Sequence, residues 1–565
     1  MSLLNVTVGT FQDAKEANQF SWLDHSVFAF MLVMSTVVGV LIGVCGKQDT
    51  KVDYLLGGKK MGILPISMSL IFSHLSGVTF MGMPAEIYTY NTMYFMTNVA
   101  GIIVALIIGY VFLPVFFNLQ LTSTYEYLEL RFDQKVRIMA SLLFTVSLLL
   151  YLPIVVYVPA LAFNHVSGIS IHFITTVVVS VCVLYTMLGG IKAVVWTDFL
   201  QSFVTMGSCL AVIILGLIKI GGFKNMWDIS YAGGRIEFFD WDPSPFQRNT
   251  VWTIFIGTTF NWLSTLGVSQ GMVQKFVALP NIRSAKLTMS SNLNCLSATI
   301  YEDFISPIIR GNKKLESKAP FFMKSIVVVV GAISLAMVFV VEKLGGILQV
   351  AIAANGVTSG ATLGIFVNGM FFPWANSKAE LTPFQTQCFT ERLEALGIDS
   401  GTFGSVTRNY VHYTTQAVDG CLTGSIVSLI SMAGIVAGAH HYKATGTERF
   451  PYLPTSTDGC EKYFNFTPPV LPKPTPLPGG MGDDAFFIFK ISFLYYTMVG
   501  TIINIIVCMV VSYFTGFQNP KEVDSRLLVP FMQKYGSAYQ EAPTEPLEKE
   551  MTKVTPPLQY EQTHV

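Results

Sequence analysis

MGILPISMSLIFSHLSGVTFMGMPAEIYTY, residues 61–90, is long enough to cross a bilayer, yet its middle reads Ser73-His74-Leu75-Ser76-Gly77. An ordinary membrane helix has no use for three hydrogen-bonding side chains and a glycine at its centre. Serine and glycine let a helix unwind at mid-depth, and the freed carbonyls and amides then have to face a cavity, because lipid satisfies neither. Exposed half-helix ends carry partial charges that suit an ion or an anionic solute. The plainer alternative is an unbroken span whose small residues serve close helix packing.

The surrounding composition fixes the class. Of 565 residues, 52% are hydrophobic and only 12% charged, with a mean hydropathy of +0.52. A soluble domain carries about 25% charge, so this is an all-α polytopic membrane protein. The formal net charge is zero, which offers nucleic acid no basic surface. Eight cysteines are scattered without a CxxC or a His/Cys cluster, most of them in apolar runs (Cys45, Cys182, Cys209, Cys508), so no metal site follows. Residues 1–24 are polar and the first apolar run is longer than a signal core, which argues against a cleaved leader.

Runs of about 18 or more mostly apolar residues fall near 26–45, 61–83, 93–118, 137–163, 171–189, 193–219, 250–272, 324–342, 346–372, 418–438 and 486–514, eleven in all. Lysine and arginine in short loops set the orientation. The first loop holds Lys47, Lys51, Lys59 and Lys60 and the third holds Arg131, Lys135 and Arg137, while 84–92 and 164–170 hold none. The N-terminal tail, 1–25, is then expected outside, the transmembrane domain over 26–516, and a polar cytoplasmic tail over 517–565. Two glycosylation sequons, at Asn5 and Asn465, fall on the outer side of this topology. The chain ends Gln562-Thr563-His564-Val565, and a terminal Thr563-x-Val565 can add a strand to a PDZ domain.

Four stretches in order, spaced by spans, resemble the sodium/solute symporter family: LTSTYEYLELRF (121–132), GGIKAVVWTDFLQ (189–201), QGMVQK (270–275) and SSNLNCLSATIYEDF (290–304). Within it, MGMPAEIY (81–88) is most similar to the sodium-coupled monocarboxylate and multivitamin transporter branch. The resemblance implies an inverted five-plus-five helix repeat with an extra N-terminal helix, and sodium-coupled uptake of small organic anions by alternating access at the plasma membrane. An iodide-carrying relative sits nearby. No cofactor is implied, only sodium as coupling ion.

Carried over by position, residues 61–90 become the first core helix, its break presenting the carbonyls of Phe72 and Leu75 to sodium. Ser73, His74, Ser76, Gly77 and Thr79 then face the substrate cavity, with Asn261 and Trp262 from the span 250–272. Trp262 also reads as an interface anchor. His74 would donate to a carboxylate, or serve as a neutral histidine bonded to a neighbouring helix. Asp198, a carboxylate inside a span, would hold a second cation or lock the cytoplasmic gate; its structural alternative is a pair with Lys192 at the membrane edge. Glu126, Glu129 and Arg131 read as an interfacial helix of paired charges.

The chain departs from the family pattern twice. Between 277 and 323 there is no apolar run of spanning length, so one whole span and the outer part of the next are missing, with the junction near 286–288. Counting back from Glu302-Asp303, Thr288 supplies one sodium-ligating hydroxyl, but Leu287 stands where a second belongs and Lys286 precedes it. The other departure is a polar insert, 380–416. Two functions stay open: a working symporter, or a transport-defective splice isoform that acts as a regulatory or interaction partner. A channel, leaking sodium without substrate, is a third. An enzyme is excluded by the lack of a nucleophile–base pair or phosphate loop and by polar loops too short for a catalytic domain.

Overall fold

The computed structural model describes residues 20–45, 54, 57, 61–74, 77–121, 123–279, 319–343, 347–376, 420–444, 453 and 486–537. Helices dominate. α1 (Trp22–Cys45) is followed by α2 (Ile63–His74) and α3 (Gly77–Thr89). α4 (Met96–Ile107) runs through a π-helical turn, Ile108–Phe112, into α5 (Leu113–Leu119). After the short α6 (Glu126–Arg131) come α7 (Gln134–Ser167), the helical run α8 (Ile171–Ile220) and α9 (Phe223–Ala232). Next is an interrupted helix: π-helical Thr253–Thr258, α10 (Thr259–Trp262) and π-helical Leu263–Gly267. α11 (Gln270–Val277), α12 (Ala319–Lys343), α13 (Ile347–Phe371), α14 (Gly420–Ala444) and α15 (Tyr496–Thr515) complete the set.

Seven helical stretches among the described residues are long and apolar enough to cross a membrane. One of them, α8, holds two of the expected spans. Fifty residues of straight helix would measure ~75 Å, more than twice the ~30 Å hydrocarbon core. The run instead turns at Gly190, whose φ of 52° and ψ of −148° are not helical. A Cβ there would stand 2.7 Å from the Tyr54 carbonyl oxygen, so only glycine fits both the dihedral and the contact. Of the expected spans that are not among the seven, 61–83 falls in α2 and α3 on either side of two residues outside the description, 250–272 carries two π segments, and 346–372 forms α13. The junction at 286–288, the insert 380–416, both sequons and the last residues of the chain lie outside the described residues.

Aromatic rings fill the centre. Phe112, Phe116, Tyr125, Tyr127 and Phe366 are all buried, and Tyr127 stacks on Phe366 with centroids 5.7 Å apart. The outward surface is apolar as well: Val212, Ile213, Leu215 and Ile218 of α8 are exposed, as lipid-facing side chains should be. α13, α14 and α15 are joined through Asn504, which donates to the Ala361 carbonyl at 3.0 Å and Ser425 Oγ at 3.2 Å and accepts from Asn368 Nδ2 at 2.9 Å. Where lipid offers no hydrogen bonds, such polar contacts hold helices together.

One expectation changes at the Arg131 end of the bundle, where Glu129 pairs with Arg137 as a charged interfacial helix would have it. Arg131 is buried, with Nε donating to the Gly369 carbonyl at 3.0 Å and Nη2 to those of Phe372 at 3.0 Å and Ala375 at 3.2 Å. It caps α13, whose last carbonyls have no intrahelical donors. Burial pulls its pKa down from the ordinary arginine value. The polar segment after 516 packs on the bundle over its first part. It turns at Gly516 (φ 95°) and folds back. Arg131 Nη1 donates to Gln518 Oε1 at 2.8 Å, Tyr127 Oη to the Leu527 carbonyl at 3.0 Å, and the Val529 amide to the Met370 carbonyl at 3.2 Å. Leu527 and Val529 join the main core.

Candidate ion and substrate site

Within 61–90 the described residues are helical in two segments, α2 up to His74 and α3 from Gly77. Leu75 and Ser76 between them, and the side chains of Ser73, His74 and Thr79, lie outside the description. Phe72, in α2, is half-buried, and Gly77 and Thr79 stand in α3.

Asn261 and Trp262 stand in the single α-helical turn between the two π segments. π-bulges displace backbone groups from the regular ladder and recur at functional sites. Asn261 is half-buried, and its Oδ1 accepts from Thr265 Oγ1 at 3.4 Å. The Trp262 ring lies against α4 at Gly101, where a Cβ would come within 2.7 Å of it. That contact makes Trp262 part of helix packing. Thr258, buried in the first π segment, has a hydroxyl without a hydrogen-bond partner; sequence reasoning passed over it because one threonine in a span is common.

Asp198 sits in the second arm of α8 and does not take Lys192 as its partner. Ser69 Oγ donates to Asp198 Oδ2 at 2.6 Å, and Lys275 Nζ donates to Ser69 Oγ at 2.7 Å. Lys275 Nζ is 3.8 Å from Asp198 Oδ2, and the two side chains are 3% and 19% exposed respectively. α2, α8 and α11 thus meet at a carboxylate, a hydroxyl and an ammonium. Burying either charge alone would be costly, which is why they occur together. Lys275 carries the signal sequence reasoning left unused: a lysine inside the quoted motif QGMVQK, followed by Phe276 and Val277. Thr288 lies outside the described residues.

With that geometry in place, likeness to known proteins becomes informative. The family model described as "Sodium:solute symporter family" matches residues 54–233. A sodium-coupled monocarboxylate transporter 1 from Xenopus laevis is 31% identical, taking in 88% of this chain and 86% of its own length. The chain belongs to the sodium:solute symporter family. Members of that family are sodium-coupled transporters and not enzymes, with sodium as the coupling ion and no cofactor indicated. The human sodium-coupled monocarboxylate transporter 1 is 30% identical over 87% of each chain. A sodium-dependent multivitamin transporter from Oryctolagus cuniculus is 33% identical over 63% of this chain and 68% of its own. Among solved structures, the substrate-bound outward-open state of a Na+-coupled sialic acid symporter superposes with a TM-score of 0.63, covering 88% of this chain and 98% of its own at 19% identity. That likeness shows the shared helical fold.

Proposed function

We propose that this family member carries small organic anions, monocarboxylates or carboxylate-bearing vitamins, together with sodium by alternating access across the plasma membrane. Its N-terminus is outside and its C-terminus cytoplasmic. The observation that carries the reading is the likeness itself: the chain is 31% identical to a sodium-coupled monocarboxylate transporter, and the family model matches residues 54–233, which include the polar middle of 61–90. The carbonyls of Phe72 and Leu75, with the Thr288 hydroxyl, hold sodium; a hard cation wants oxygen ligands, and backbone supplies them without burying a charge. Ser73, His74, Ser76, Gly77, Thr79 and Asn261 line the substrate cavity. Trp262 backs it through its contact with α4. Asp198 serves the inner gate, held by Ser69 and Lys275. Sodium promotes substrate binding to the extent that it binds the outward-open state better than the inward-open one. Uptake of labelled pyruvate or biotin by transfected cells should fall when sodium is replaced by choline. Equal uptake in both media overturns the coupling.

A second reading has its own observation. The alignment with the Xenopus relative runs over 579 positions while taking in 88% of a 565-residue chain, so it is longer than the stretch it covers, as a missing segment requires. On that reading the chain is a transport-defective isoform acting on an intact partner, and an iodide-like anion is the remaining substrate alternative. Transcripts sequenced across codons 280–295 decide it: if none joins Lys286 to Leu287 directly, the isoform reading falls. The Thr563-x-Val565 terminus offers a PDZ domain a ligand in either case.

A further inference from the structure

FKNMWDISYA, the sequence of α9, has no part in the transport reading. Its aromatic residues stand four apart, so Phe223, Trp227 and Tyr231 share one face of the helix. Lys224, Asp228 and Ala232 each follow one of them and lie about 100° further round. No residue of α9 is buried against the rest of the chain. Phe223 is 61% exposed and Tyr231 71%, and the rings of Phe223 and Trp227 keep each other company with centroids 6.0 Å apart. A helix of 10 residues that buries no side chain is marginal in water, because nothing offsets the cost of its first turn. The aromatic face therefore needs a cover.

The chain on either side points to the bilayer. After its turn at Gly190 the second arm of α8, from Ile191 to Ile220, measures ~45 Å at about 1.5 Å per residue. A bilayer with its headgroups is ~40–45 Å thick, so Ile220 arrives at headgroup level. Gly221 and Gly222, with φ of 93° and 102°, then turn the chain, and α9 begins at Phe223. The lipid-facing surface of α8, Val212 to Ile218, thus passes into the aromatic face of α9 with only this turn between. Lys219 and Lys224, both exposed, flank the turn, where long stems carry their ammonium groups to headgroup phosphates. The next membrane helix sets the same level. Residues 233–250 contain no helix, so the chain re-enters from the side it left, and it does so at Trp252, whose exposed ring meets that of the exposed Trp241 with centroids 6.2 Å apart. Tryptophan and tyrosine concentrate at this depth because the ring is apolar and its polar atom wants water.

We propose that α9 is an interfacial anchor: it lies in the plane of the leaflet at which α8 ends, with Phe223, Trp227 and Tyr231 sunk into the boundary between headgroups and acyl chains and with Lys219 and Lys224 at the phosphates. Its partner is the bilayer that the chain itself crosses, in the outer leaflet for the orientation proposed above. An amphipathic helix of this kind enters the boundary by about 5–10 Å. The anchor sets the depth of the second arm of α8, whatever solute the protein carries.

The test uses the purified full chain in phosphatidylcholine nanodiscs and reads tryptophan emission against two quenchers: lipid brominated near the headgroup end of its acyl chains, and aqueous iodide. The chain has 7 tryptophans, so the emission of Trp227 is taken as the difference between wild type and Trp227→Phe. Brominated lipid should remove about half or more of that difference, since the ring lies at the depth of the bromines, and iodide should leave it nearly unchanged. Within the Trp227→Phe chain, Phe223→Trp should restore a signal that brominated lipid quenches. Ala232→Trp, roughly 140° round the helix from Trp227, should restore one that iodide quenches instead. If Trp227→Phe does not fold, Phe223→Trp and Ala232→Trp added to the wild-type chain give the same two readings as gains in emission. Quenching of Trp227 by iodide and not by brominated lipid means that the face looks into water and overturns the proposal. Quenching by neither means that protein covers it and overturns the proposal equally. Positions 223 and 232 responding alike overturns the assignment of an aromatic face to the bilayer.

Discussion

Replacing Lys275 with methionine and Asp198 with asparagine, singly and together, tests whether the buried triad acts as a unit. Removing one member of a buried ion pair costs about 3–5 kcal/mol, because the other is left uncompensated. The two losses should not be equal. Asp198 is 19% exposed and keeps the Ser69 hydroxyl at 2.6 Å, so Lys275→Met should fall near the lower figure. Lys275 is 3% exposed, so Asp198→Asn leaves an ammonium in a drier place and should fall near the upper one. The double variant should be less damaged than the sum of the two, with a coupling of about 2 kcal/mol, well beyond the ~0.5 kcal/mol scatter of independent sites. Unfolding in mixed SDS and dodecyl maltoside micelles measures all four corners of the cycle. Sodium adds a second reading. With the ammonium gone, Asp198 can accept a free cation, and sodium at tenfold excess over its dissociation constant would stabilise Lys275→Met by about 1.4 kcal/mol. Additive single variants, or the reverse order of damage, would refute the argument that these two charges compensate each other.

Two further outcomes follow from single positions. Gly190→Ala should cost about 1–3 kcal/mol in the same unfolding assay, since φ is 52° and the new methyl meets the Tyr54 carbonyl; a neutral result would mean the turn in α8 relaxes freely. Arg131→Lys keeps the charge but cannot reach the carbonyls of Gly369, Phe372 and Ala375 together with Gln518, so limited proteolysis should begin cutting between 517 and 537 while wild type stays intact there.

The spans were legible because hydropathy over about 20 residues is a strong signal and because α8 announces its turn with Gly189-Gly190. Pairings were not. Asp198 looked to Lys192 because sequence proximity is all that a chain read in one dimension offers, whereas its partner is Lys275 on α11. Arg131 read as one of the paired charges of an interfacial helix, and nothing local reveals that α13 ends above it with carbonyls for it to satisfy. Leu527-Leu528-Val529 is three apolar residues in a polar stretch, too short for any period, so its burial could not be anticipated.

α2 is fixed through Ser69 to Asp198 and Lys275, and α3 through Glu86 to Arg248. Each segment is thus tied by a charged contact to a different partner. Neither can slide along the bundle unless its contact gives up a partly desolvated charge.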